Sequence, residues 1–99
     1  MAGQSNEIKI RYHILIKGEV QDQKYRKEIK KKADRCQVSG VVRDANMPNY
    51  QLEIILEGEE EAASEVFIWL LREPRLARIA HLNFNTKTFL DEFKDFQII

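Results

Sequence analysis

The sequence predicts a two-layer α+β sandwich with element order βαββαβ and both helices on one face of an antiparallel sheet. Two observations lead there. The apolar period changes from two to that of a helix and back, twice, along 99 residues. Each helical segment lies between two strand-like ones, so it returns the chain to the sheet as in a split βαβ pair. No linker, repeat or low-complexity stretch marks a boundary, and the length suits one small domain. Residues 1–7 read as a frayed tail, which leaves the domain at 8–99.

The first strand starts at Ile8. Ile8, Ile10, Tyr12, Ile14 and Ile16 share one face, and Lys9, Arg11, His13, Leu15 and Lys17 share the other. Gly18 is expected to end it. From Lys24 to Cys36, Tyr25, Ile29, Ala33 and Cys36 make one helical stripe, and Lys27, Lys30, Lys31, Asp34 and Arg35 fill the rest. The "KKK" at 30–32 reads as a solvated face, because the chain is neutral overall.

"VSGVVRD" (38–44) and "QLEIILE" (51–57) read as a strand pair around the turn-rich "ANMPNY". After Gly58, Ala63, Val66, Phe67, Leu70 and Leu71 form the second helical stripe. Glu59, Glu60 and Glu61 are placed in its first turn, where the helix dipole favours negative charge. Arg72 falls in the last turn, and Pro74 blocks continuation. "ARIAHLNF" (77–84) supplies the fourth strand. After a polar loop, "KDFQII" (94–99) adds a further short one.

Composition narrows the function. Sixteen basic side chains balance sixteen acidic ones, which argues against a general nucleic-acid or membrane-surface binder. The single cysteine, Cys36, excludes an intrachain disulfide, and with two histidines it excludes a multi-cysteine metal site. "MAGQSNE" has no apolar core and is not read as a signal peptide; Ala2 also rules out myristoylation. No run approaches the roughly 18 apolar residues of a membrane span. A cytoplasmic protein and a monomer are expected.

The residues bear on four chemistries. An RNA-stacking sheet needs aromatics on its open face; here the first strand offers Lys9, Arg11 and His13, and its partner Glu53, Ile55 and Glu57. A metal site would draw on His13, His81 and Cys36, which lie on separate elements without ligand spacing. A nucleophilic cysteine needs a low-pKa setting, whereas Cys36 sits on an apolar stripe and reads as a core thiol. The fourth is anion binding. "GEVQDQKYR" (18–26) is a strand-to-helix turn whose free N–H groups welcome a phosphate or carboxylate. Arg26, in the first helical turn, can reach back with a planar fork of donors. A surface ion pair is the simpler role for that arginine.

That same stretch resembles the acylphosphatase signature glycine-x-valine-glutamine-glycine-valine-x-phenylalanine-arginine. Gly18, Val20, Gln21 and Arg26 match, and Tyr25 is an aromatic substitute. "GVVRD" (40–44) resembles the second motif, glycine-tryptophan-valine-x-asparagine. "EGEEEA" (57–62), "PRLARI" (74–79) and "FKDFQI" (93–98) extend the likeness over roughly residues 8 to 99. The resemblance implies the family's ferredoxin-like βαββαβ fold. It also implies a cofactor-free and metal-free hydrolase of carboxyl-phosphate mixed anhydrides, with acyl phosphate or inorganic phosphate as ligand. Carried over, Arg26 holds the phosphoryl oxygens. Val20, Gln21, Asp22, Gln23, Lys24 and Tyr25 form the phosphate-binding loop. Asp44 stands where the asparagine positions the attacking water.

The departures fall on the chemistry. An ionised Asp44 only accepts hydrogen bonds and brings negative charge to a phosphate site; it can pair with Arg26, or act as a general base for water. Asp22 replaces the loop glycine, where close backbone approach is wanted. It also sits at the helix N-cap, able to bond the free amides itself. Lys24 returns a point charge. The hairpin is about two residues longer than the usual pattern, so a register shift would bring Asn46 rather than Asp44 to the asparagine's place. Two expectations follow. One is a hydrolase of weak or altered activity. The other is a catalytically inactive module that binds an anion or a protein.

Overall fold

The computed structural model describes residues 8–20, 22–72 and 78–99. Seven elements follow one another: β1 (Lys9–Glu19), α1 (Gln23–Arg35), β2 (Ser39–Asp44), β3 (Leu52–Glu59), α2 (Glu60–Arg72), β4 (Arg78–Lys87) and β5 (Phe96–Ile98). Several boundaries differ from the sequence reading, three of them in substance. β1 runs through Gly18 to Glu19, Glu59 closes β3 instead of opening α2, and β4 extends to Lys87. Pro74 lies outside the described residues, as do 1–7.

The strands form one sheet in the order β4-β1-β3-β2-β5. The first four are antiparallel, as expected, while β5 lies parallel to β2. The sheet is therefore mixed at one edge. α1 carries the chain from β1 over β3 to β2, and α2 carries it from β3 over β1 to β4.

Both helices pack on the same sheet face. Tyr12, Ile14 and Ile16 of β1, Val42 of β2 and Leu52, Ile54 and Leu56 of β3 form one core with Tyr25, Ile29 and Ala33 of α1 and Ala63, Val66 and Leu70 of α2. These are the residues that the two periodicities place inward. α1 ends in a Schellman arrangement: Gln37 is left-handed, and the Val38 and Gln37 amides donate to the Ala33 and Asp34 carbonyls.

The other face is covered in part by the crossing segment 88–95. The Leu90 and Glu92 amides donate to the Glu57 carboxylate at 2.8 and 2.9 Å. Arg11 bonds the same carboxylate at 3.0 Å and sits over the Phe93 ring. Ile55 lines one hollow with Thr88 and Leu90 of this segment, and Leu15, Val41 and Ile55, which share the strand parity of this face, are all buried. Among the described residues, no helix is long and apolar enough to cross a membrane.

Candidate active site

The loop from β1 to α1 begins at Gly18, whose φ is 152°. A Cβ there would lie 2.1 Å from the Arg78 carbonyl oxygen, so the neighbouring strand requires glycine at this place. The ladder between β1 and β4 shifts register between Lys17 and Gly18. The Gly18 amide donates to Gln51 Oε1 at 2.8 Å. Gln51 is tied by its own backbone to Ile16 and Ala45. It thus joins the start of the loop to the residue after Asp44. Sequence reasoning missed this role because a glutamine at a strand entry carries no distinguishing pattern.

Val20 is fully buried and pins the loop to the core. Gln21 lies outside the described residues. Asp22 is the N-cap of α1, with φ −66° and ψ 125°. That is ordinary extended backbone, so an aspartate fits here without left-handed strain. Its Oδ1 accepts the Lys24 amide at 2.8 Å, and its carbonyl accepts the Tyr25 amide at 3.1 Å. Two amides of the expected cradle are therefore held by the loop's own oxygens. Gln23 and Lys24 expose their side chains to solvent.

Tyr25 and Arg26 turn inward. The Tyr25 hydroxyl is buried with no hydrogen-bond partner among the described residues, and burial pushes its pKa up to about 12. Arg26 is buried too, and its Nη2 donates to Asp44 Oδ1 at 2.6 Å. Arg26 Nε has no partner among the described residues, so the guanidinium keeps donor capacity. Asp44 closes the β2 ladder opposite Leu52. Asn46 stands beyond it in the exposed turn, so Asp44 is the residue that meets Arg26.

The alternative chemistries find their groups occupied elsewhere. His13 bonds Glu53, which also accepts from Arg43 Nε at 2.7 Å. Burial raises the Glu53 pKa, but these two donors more than offset it and hold the carboxyl below its usual range. His81 packs beside Tyr50. Cys36 is half-buried, and burial and the adjacent Glu65 push its thiol pKa up, away from nucleophilic chemistry. A cavity of about 740 Å³ opens at the far end of the sheet, between Glu57 and Phe89, Phe93 and Phe96. Its wall carries Lys9 and Lys94, outnumbered by Asp34, Glu57, Glu59, Asp91 and Asp95.

What the Arg26 site can do is hold an oxyanion at a helix N-terminus beside a buried guanidinium, against competition from two internal carboxylates. Comparison with known proteins bears on family and fold. The family model described as "Acylphosphatase" matches residues 12–98. An acylphosphatase of Methylococcus capsulatus is 33% identical over 89 residues, covering 90% of this chain and 95% of the relative. The solved acylphosphatase of Coxiella burnetii superposes with a TM-score of 0.76 at 24% identity, covering 92% of this chain and 93% of that one. The Bacillus subtilis acylphosphatase gives a TM-score of 0.78 at 21% identity, over 91% and 98% of the two chains. The two structural matches speak for the fold.

Proposed function

Since the chain belongs to the acylphosphatase family of hydrolases, we propose that it cleaves carboxyl-phosphate mixed anhydrides with weak or altered activity, through Arg26 and Asp44. The observation that carries this is the buried Arg26 guanidinium with an unpartnered Nε at the N-terminus of α1. Nη and Nε donors and the remaining loop amides take the phosphoryl oxygens. Water attacks phosphorus, the bond from phosphorus to the acyl oxygen breaks, and a carboxylate and inorganic phosphate leave. The leaving carboxylate is stable at neutral pH, so no general acid is required. Asp44 accepts a hydrogen bond from the attacking water and receives its proton.

Magnitudes account for weakness rather than loss. A carboxylate about 4 Å from a phosphate charge costs roughly 4 kcal/mol at a dielectric near 20, but about 1 kcal/mol in water. Asp44 is 78% exposed, so its penalty falls toward the lower figure. Asp22 adds competition, because an incoming phosphate must take the Lys24 amide from it.

The second reading is an inactive acylphosphatase-like module. It is favoured by one fact: Arg26 and the Lys24 amide, both anion-seeking groups, already hold carboxylates. Steady-state hydrolysis of benzoyl phosphate by wild type, Arg26→Ala and Asp44→Asn separates the two. Turnover in wild type that Arg26→Ala abolishes is the expected result. Silence in all three, with no amide shift at residues 20 to 26 in millimolar phosphate, would leave the binding module.

A further inference from the structure

We propose, on the reading that Arg26 and Asp44 hydrolyse acyl phosphates, that Gln51 is a positioning residue, holding the phosphate loop and Asp44 in one fixed relation.

The two halves of the site come from different parts of the chain. Arg26 and the loop amides stand at the start of α1, which is fed by the end of β1. Asp44 is the last residue of β2. The bond between them is one contact, from Arg26 Nη2 to a carboxylate oxygen whose residue is largely exposed. A phosphate that takes the Arg26 donors loosens that contact. Another link must then keep Asp44 in place against phosphorus.

The main-chain ladders stop short of the site. Pairing of β1 with β3 ends at Ile16 and Leu52, and pairing of β2 with β3 ends at Asp44 and Leu52. Gln51 is the next residue beyond this shared rung, and it bonds to both sides. Its amide donates to the Ile16 carbonyl at 2.9 Å, and its carbonyl accepts the Ala45 amide at 3.1 Å. Any residue but proline can make these two bonds. The third, from the Gly18 amide to Gln51 Oε1 at 2.8 Å, needs a side-chain acceptor of this reach. It falls where β1 turns off the sheet, since the register against β4 shifts between Lys17 and Gly18. Beyond Gly18, buried Val20 anchors the loop and Asp22 caps α1. Gln51 thus ties the entry of the phosphate loop to the exit of Asp44.

Without that acceptor the part-buried Gly18 amide is left unpaired, and the loop entry moves to find water. The fold does not depend on it, because Ile14, Ile16, Tyr25 and Ile29 keep β1 and α1 in the core. Arg26 and the amides of α1 still hold an anion, while Asp44 is no longer aligned with them. A misplacement of about 1 Å can cost about 100-fold in rate. Gln51 therefore acts on kcat more than on binding.

Two variants test this. Gln51→Met removes the acceptor at nearly the same length, and Gln51→Glu keeps an oxygen there. With benzoyl phosphate, Gln51→Met should lower kcat at least about tenfold, while inhibition by inorganic phosphate stays within about threefold of wild type. Gln51→Glu should recover most of the lost kcat. A second readout needs no turnover. In a titration with inorganic phosphate, the amides of Asp44 and Ala45 should shift together with those of residues 20 to 26 in wild type, and cease to follow them in Gln51→Met. Equal kcat in wild type and Gln51→Met overturns the role. So does a loss in which kcat and phosphate affinity fall together and Gln51→Glu recovers neither. If wild type turns nothing over but its Asp44 and Ala45 amides follow phosphate only while Gln51 is present, the hydrolase reading fails and the coupling through Gln51 stands without it. If those two amides ignore phosphate in wild type, the coupling is overturned whether or not the protein hydrolyses.

Discussion

The Asp44 carboxylate meets the Arg26 guanidinium at 2.6 Å across a solvent boundary: the arginine side chain is 5% exposed and the aspartate 78%. The two ends of this ion pair therefore carry different energies. Asp44 gains little, because water competes for it and salt screens it. Arg26 has its stem packed in the core region and depends on partners for its donors. A phosphate would meet the same guanidinium from the exposed side.

From that asymmetry, Asp44→Ala should change stability by no more than about 1 kcal/mol. Arg26→Ala removes buried stem atoms and should cost roughly 2 kcal/mol or more. Urea unfolding of both variants measures this. Equal losses would mean that the pair is structural and not a contact a ligand can replace.

Asp22 should show stability and binding moving in opposite directions. Asp22→Ala removes the cap on the Lys24 amide, at a cost of about 1 kcal/mol. It also frees that amide and deletes a negative charge beside the site. Inorganic phosphate should then bind more tightly, as read by amide shifts in a titration. Unchanged affinity would place the Lys24 amide outside the anion site.

Tyr25 occupies the motif's phenylalanine position with a hydroxyl that is buried and has no partner among the described residues. An unsatisfied buried polar group costs about 1–3 kcal/mol. Tyr25→Phe keeps the ring in the core and should stabilise the protein by about 1 kcal/mol, seen as a higher urea midpoint at the same slope. A loss of stability would show that the hydroxyl is hydrogen-bonded in solution.

Much of this was legible because local chemistry and global packing agree. The alternation from Ile10 to Ile16 and the stripe Tyr25, Ile29, Ala33 mark the faces that become the core. Asp22 was readable as a cap, since an aspartate before a helix has one favoured bond. Arg26 and Asp44 are 18 residues apart in sequence. The motif resemblance already sets Asp44 in the asparagine's place and within reach of Arg26, with Asn46 the alternative under a register shift; the β2 register sets Asp44 beside Arg26. Gly40 is a different case: a Cβ there would lie 1.8 Å from the Ile55 carbonyl oxygen, a demand set by β3 and invisible in β2 alone. The role of Glu57 was not legible at all. It alternates with Glu53 on one strand face and reads as an equally solvated acid. Its burial depends on the path of residues 88–95, which follows from β5 docking parallel to β2.

Glu57 gives a prediction with a sign in pH. The residue is 0% exposed. Burial raises its pKa, but the Leu90 and Glu92 amides and the Arg11 guanidinium more than offset this and hold the carboxyl below its usual range. A carboxyl depressed by folding contributes stability above its unfolded pKa, and that contribution is lost as pH falls through the folded value. Glu53 acts in the same direction. Glu57→Gln keeps the size but has one carbonyl oxygen for three donors, and removing one partner of a buried ion pair costs about 3–5 kcal/mol. At neutral pH the variant should be destabilised by about that much, with faster exchange at Leu90 and Glu92 as the crossing segment loosens. On acidification the wild type should lose stability more steeply, so the two curves converge at low pH. Parallel curves from pH 7 to 3 would show that Glu57 titrates alike in the folded and unfolded chain.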